Sequence, residues 1–147
     1  MTGKRTPSAV LFICTQNAIR SPMAAALMHH IAGHKIYVAS AGIRAGDPDP
    51  FVGMIMDEIG LDLTRHRPHA IEDLADSGFD LVITLSPEAE TFAREMTRTM
   101  AIEVEHWPTP DPSATQGSRS QILDAYRDVR DGLKKKLDER FGSSVGR

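Results

Sequence analysis

The chain has 147 residues, enough for one domain with a real core, and its 41% hydrophobic and 25% charged content is that of a globular protein. A net charge of −3 and a pI near 6.0 offer no basic surface for nucleic acid or an anionic membrane, and no apolar run reaches membrane-spanning length. Lys4 and Arg5 near the start are followed by no apolar leader segment, and a single cysteine allows no intrachain disulfide, so a cytoplasmic protein is expected.

Ala9 to Ile13 is a near-continuous apolar run, the pattern of a strand buried on both faces of a parallel sheet. It leads into Cys14-Thr15-Gln16-Asn17-Ala18-Ile19-Arg20-Ser21-Pro22. Ser21 reads as a helix cap and Pro22 as the first helical residue. Met23, Leu27, His30 and Ile31 then recur at helical spacing as far as Gly33. Ile36 to Ala39 reads as a second strand. The turn cluster from Gly46 to Pro50 opens a helix that faces Val52, Ile55, Met56 and Ile59 inward and closes at Gly60. A short helix is expected around Ile71 to Ala75, and a third strand at Leu81 to Leu85. Pro87 starts a helix carrying Ala89, Phe92, Ala93 and Met96, and Ile102 to His106 is a fourth strand. After a loop from Trp107 to Ser118 with three prolines, a last helix aligns Ile122, Tyr126, Val129, Leu133, Leu137 and Phe141 on one stripe.

Strands alternating with helices predict an α/β fold, a doubly wound three-layer sandwich on a four-stranded parallel sheet, as a single domain over 1–147 with its core at about 9–141. Ligands of such sheets bind beyond the carboxyl ends of the strands. Cys14, Ser40, Ser86 and Asp111 all fall at that edge.

A cysteine with an arginine six positions on, between a buried strand and a helix, makes an anion pocket with a nucleophile at its floor. Backbone N–H groups from Thr15 to Arg20 can converge on one oxyanion, and the helix N-terminus adds partial positive charge. Arg20 brings a planar fork that matches two oxygens of phosphate or arsenate. The same field favours the thiolate form of Cys14. Asn17 is one of the few non-glycine residues that accept a left-handed backbone. Attack on a phosphomonoester expels an alkoxide or phenoxide that needs a proton, and Asp111, in a loop stiffened by Pro108, Pro110 and Pro112, is the candidate acid. On its own, Asp111-Pro112 is equally a turn signal. His29, His30 and His34 lie on one helix and its end without a carboxylate or thiol at ligand spacing, so they read as a solvated helix end. Neither metal nor cofactor is called for.

These features resemble the low-molecular-weight protein tyrosine phosphatases and their structural relatives, the thioredoxin-coupled arsenate reductases. The resemblance is carried by Cys14 to Pro22, by Ser40-Ala41-Gly42 and by Asp111-Pro112, with weaker matches at Gly60 to His66 and Phe79 to Thr84. It implies a phosphotyrosine protein phosphatase I-like fold and hydrolysis of phosphomonoesters, phosphotyrosine or small aryl phosphates, through a phosphocysteine intermediate. Cys14 would be the nucleophile, and Thr15, Gln16, Asn17, Ala18, Ile19, Arg20 and Ser21 would cradle the phosphate. Asp111 would protonate the leaving group and then activate water. Ser21 would donate to the Cys14 sulfur, Asn17 and Ser40 would brace the loop, and His66 would support it. The implied partners are a phosphorylated protein or small phosphomonoester, and phosphate or arsenate as free oxyanions.

The chain departs from the phosphatases where Ala18 and Ile19 replace a second loop cysteine, and where Ser113-Ala114 replace aromatic residues that wall the phosphotyrosine cleft. Ser40 to Ile43, Asp80 to Leu85 and Glu105-His106-Trp107 look closer to the arsenate reductases. Those enzymes relay a disulfide through two further cysteines, and Ser86 stands at about the first of these positions. The alternatives are therefore an arsenate reductase or arsenate–thiol transferase using an external small thiol, and, third, a non-catalytic oxyanion-binding module.

Overall fold

The apolar run that opens the chain becomes the inner strand β1 (Ala9–Cys14), with β2 (Tyr37–Gly42) on one side and β3 (Leu81–Thr84) on the other. β4 (Glu103–His106) completes a parallel sheet of order β2-β1-β3-β4. This is a computed structural model in which residues 6–75 and 78–142 are described. Lys4 and Arg5 lie outside the described residues.

Register explains why β1 shows no alternation. Leu11 pairs with Ala39 and Val82, Phe12 with Ser40 and Ile83, and both faces of the strand are covered. Val10, Phe12 and Cys14 pack against α1 (Arg20–Ala32), α2 (Pro50–Asp57) and α4 (Arg119–Leu137). Leu11 and Ile13 join Ala41, Val82 and the inner face of α3 (Pro87–Met96) on the other side. Period-two alternation of a strand thus feeds two separate cores, one per face.

α2 begins where Asp49 Oδ1 accepts from the N–H groups of Phe51 and Val52 (2.8 and 3.1 Å), and the other oxygen accepts from the Tyr126 hydroxyl at 2.8 Å. α4 starts in a complete capping box between Ser118 and Gln121. Its stripe from Tyr126 to Leu137 is buried, as the spacing predicts, whereas Ile122 is only partly buried and Phe141 is buried in the π-helical turn Asp138–Gly142 that follows the helix.

Several expectations are corrected. α1 begins at Arg20, with Ile19 at the cap position and no side-chain cap bond, so Ser21 lies inside the helix with its hydroxyl turned to the site. β2 starts a residue later than expected and runs on to Gly42, because it keeps pairing with β1 as far as Cys14. His30 is exposed, while Ala24 and Met28 take inner positions of α1. Ile59 is 41% exposed because α2 ends at Asp57 and the helical phase does not reach it. Phe92 is 38% exposed, since α3 lies on the sheet through the small residues Ala89 and Ala93. The Ile71 helix is a single 3-10 turn, Ile71–Asp73. Among the described residues, no helix is long and apolar enough to cross a membrane.

Candidate active site

β1 delivers Cys14 to the carboxyl edge of the sheet, and the chain then folds back through Asn17, whose φ of 57° is the left-handed conformation expected of it. Asn17 is fully buried and every polar group on it is used. Its N–H donates to Cys14 Sγ (3.2 Å), and Nδ2 donates to Ser21 Oγ (2.8 Å) and Ser40 Oγ (2.9 Å). Oδ1 accepts from the His69 N–H (3.1 Å), and the carbonyl oxygen from His66 Nε2 (2.8 Å). Gly42 is required by close approach, for a Cβ there would lie 2.8 Å from the Asn17 nitrogen and 2.5 Å from the Arg44 oxygen.

Cys14 is 2% exposed, and its sulfur stands 2.9 Å from Ser21 Oγ. Because Ser21 Oγ already accepts from Asn17, its own hydrogen is directed to the sulfur or to the Ala41 carbonyl, which is farther away at 3.4 Å. A hydroxyl so placed stabilises a thiolate. The first turn of α1 carries no side-chain cap, which leaves its N–H groups for an anion.

Cys14, Thr15, Gln16, Ala18, Ile19 and Arg20 wall one cavity of about 130 Å³ together with Asp111 and Ser113. Cys14 and Arg20, neighbours in one loop, thus share a space with Asp111, which is distant from them in sequence. Arg20 Nη1 donates to the Thr109 carbonyl at 3.0 Å, which ties the cradle to the loop that carries Asp111. Asp111 Oδ1 accepts from the N–H (3.0 Å) and hydroxyl (2.7 Å) of Ser113. Thr15 Oγ1 donates to Ser86 Oγ (3.0 Å), and Ser86 is the side-chain cap of α3 through the Ala89 N–H. No aromatic residue is among those walling the cavity.

The structure puts Asn17 and Ser40 in one hydrogen-bonded brace, with His66 against its outer side. Burial, the largest influence, holds the His66 imidazole below its ordinary range, although its bond to the Asn17 carbonyl acts the other way. Nε2 is the donor, because the Asn17 carbonyl can only accept. Three partners escape the sequence reading: His69, Ser113 and the Thr109 carbonyl. His69 holds Asn17 through its N–H, while Nε2 lies 2.6 Å from the Ser40 carbonyl and Nδ1 3.0 Å from that of Arg67. Only Ser113 had a local signal, as the third residue of an Asp-Pro-Ser turn. Among the described residues, no group of three or more His, Cys, Asp or Glu, with His29, His30 and His34 included in the search, could hold a metal ion.

Comparisons with known proteins bear on family and fold. A family model for low molecular weight phosphotyrosine protein phosphatase matches residues 9–145. An arsenate reductase of Bacillus subtilis (strain 168) is 31% identical over 131 residues, covering 88% of this chain and 92% of that protein. The solved structure of an arsenate reductase in the phosphate binding state superposes with a TM-score of 0.71 at 26% identity, over 92% of this chain and 98% of the other. A tyrosine phosphatase of Erwinia amylovora gives a TM-score of 0.74 at 18% identity, over 100% and 98% of the two chains, a likeness of fold.

Proposed function

The chain belongs to the low molecular weight phosphotyrosine protein phosphatase family, and from that premise we propose that it hydrolyses phosphomonoesters, with Cys14 as nucleophile and Asp111 as proton donor. The observation that carries this reading is the shared cavity of about 130 Å³ walled by Cys14, Arg20 and Asp111. Sγ attacks phosphorus in line with the ester oxygen. As the P–O bond breaks, the Asp111 proton passes to the departing oxygen, leaving phosphocysteine and a carboxylate. That carboxylate then takes a proton from water, the oxygen of which displaces sulfur to release phosphate and the thiolate. Arg20 and the loop amides stabilise the equatorial oxygens of both transition states, while Ser21 donates to the sulfur whenever it is anionic.

A second reading is favoured by the names of the relatives: arsenate reduction. Sulfur would displace hydroxide from arsenic, with Asp111 protonating it to water. Reduction of As(V) to arsenite takes two electrons, which Cys14 and one external small thiol would supply by becoming a mixed disulfide, and a second external thiol would then restore Cys14. An internal relay has no second thiol, for Cys14 is the one cysteine in the sequence and a buried, hydrogen-bonded serine stands at position 86.

One assay panel separates the readings: nitrophenyl phosphate, an alkyl phosphate, a phosphotyrosine peptide, and arsenate with thioredoxin or with glutathione or mycothiol. Ester hydrolysis that vanishes in Cys14→Ser is expected. Asp111→Asn should slow the alkyl ester far more than nitrophenyl phosphate, general acid catalysis being worth about 10²–10⁴-fold. Arsenite formed with a small thiol, while esters stay uncleaved, would establish the second reading. Phosphate binding without turnover of any substrate would leave only an oxyanion-binding module.

A further inference from the structure

A second cavity, of about 370 Å³, shares Asp111 with the Cys14 cavity and opens between the Asp111 loop and α4. Its volume falls in the range of small-molecule sites. One wall is Trp107, Pro108 and Pro110, and the other is Val129, Gly132 and Leu133. The gap is written into the chain, since a Cβ added at Gly132 would meet nothing within 4 Å. It is also rigid. Trp107 is 6% exposed, packs edge-on against Phe12 and donates its backbone N–H to the Thr84 carbonyl at 2.8 Å, while Thr109 donates to the Leu85 carbonyl at 3.1 Å. The loop thus hangs from the end of β3.

Three ionisable side chains border this apolar space: Asp111, Asp128 and Lys136. The Lys136 ammonium lies 5.9 Å above the Trp107 ring, where the π-face attracts it. Asp128 forms no ion pair or hydrogen bond among the described residues, although it stands one helical turn from Gly132 on the same face of α4. Two carboxylates against one ammonium leave the rim negative. We propose that this cavity is a binding site for a small protonated amine with an apolar, ring-sized body. The ring fills the space between the prolines and Leu133, and the ammonium is taken by Asp128 and Asp111. Occupancy has a consequence that rests on the catalytic role proposed for Asp111. A cation held beside that carboxyl favours its ionised form, which cannot protonate a leaving group. The amine would then act as an inhibitor whose strength depends on how much proton the leaving group needs.

The single tryptophan makes the test direct, because the ¹⁵N-labelled chain shows one indole cross-peak, from Trp107. It is titrated with 2-phenylethylamine, and with 3-phenylpropionate as the probe of similar size and opposite charge. A saturable shift with the amine is expected, lost in Gly132→Leu, which fills the gap on a helix that favours leucine. In Asp128→Asn binding should weaken by about fivefold. No saturable shift, a shift unchanged in Gly132→Leu, or equal affinity for phenylpropionate would overturn the site. Binding as expected, but equal slowing of alkyl and nitrophenyl phosphate hydrolysis, would leave the site standing and remove Asp111 from the chemistry.

Discussion

Asn17 meets Cys14, Ser21, Ser40, His66 and His69, so one buried side chain and its peptide hold a left-handed turn against four other segments. Asn17→Ala leaves the Ser21 and Ser40 hydroxyls and the His69 N–H without that partner. At 1–3 kcal/mol for each of the two buried hydroxyls, a loss of about 2–6 kcal/mol is expected in denaturant unfolding. A cost within experimental error would mean that the loop is shaped by its helix alone. His66 adds a pH dependence. Burial lowers its folded pKa below the ordinary 6.5, so the unfolded chain binds the proton more readily. Stability is then complete above about pH 6.5 and declines as pH falls from there towards the folded pKa. His66→Gln should flatten unfolding midpoints measured across that window, and an unchanged slope would assign it to another group.

The helices that serve the site and those that serve the fold begin differently. α4 is closed at its start by the reciprocal bonds of Ser118 and Gln121, at 3.1 and 2.8 Å. Ser118→Ala should lower stability by about 1 kcal/mol, read as a shift in unfolding midpoint, without changing turnover. α1 instead starts bare at Ile19, beside the cavity, and the Ser21 hydroxyl lies inside the helix next to the Cys14 sulfur and does no capping. An uncapped N-terminus is a local loss of stability that an oxyanion recovers. α3 is capped by Ser86, and Thr15 donates to that same oxygen.

Across the molecule, α2 and α4 are joined by Glu58, which accepts from Arg127 (2.7 Å) and Arg130 (2.8 Å); Arg130 also donates to the Ile55 carbonyl. Hydrogen bonds from Arg127 and then Arg130 lower the Glu58 pKa from 4.5 to about 2. A depressed carboxylate contributes stability above its unfolded pKa, so this contribution is present above about pH 4.5 and is lost as pH falls towards 2. Acid unfolding should therefore be less steep between those values in Glu58→Gln, as measured by circular dichroism. An identical profile would show that the pair is screened at the surface.

What the amino-acid sequence determined by itself was whatever depends on neighbours along the chain. Burial on both faces made β1 a continuous apolar run, helical spacing placed the α4 stripe from Tyr126 to Leu137, and Asn17 between Cys14 and Arg20 marked the left-handed turn of the loop. Ile59 and Phe92 were misplaced because spacing cannot tell where a helix stops or how much of the sheet it covers. Tertiary structure alone decided which distant groups complete the site. His69 is 52 residues from Asn17, and Thr109 is 89 from Arg20. They meet because the order β2-β1-β3-β4 sets four strand ends side by side, and that order comes from burying two faces of one sheet at once, which no window of sequence contains.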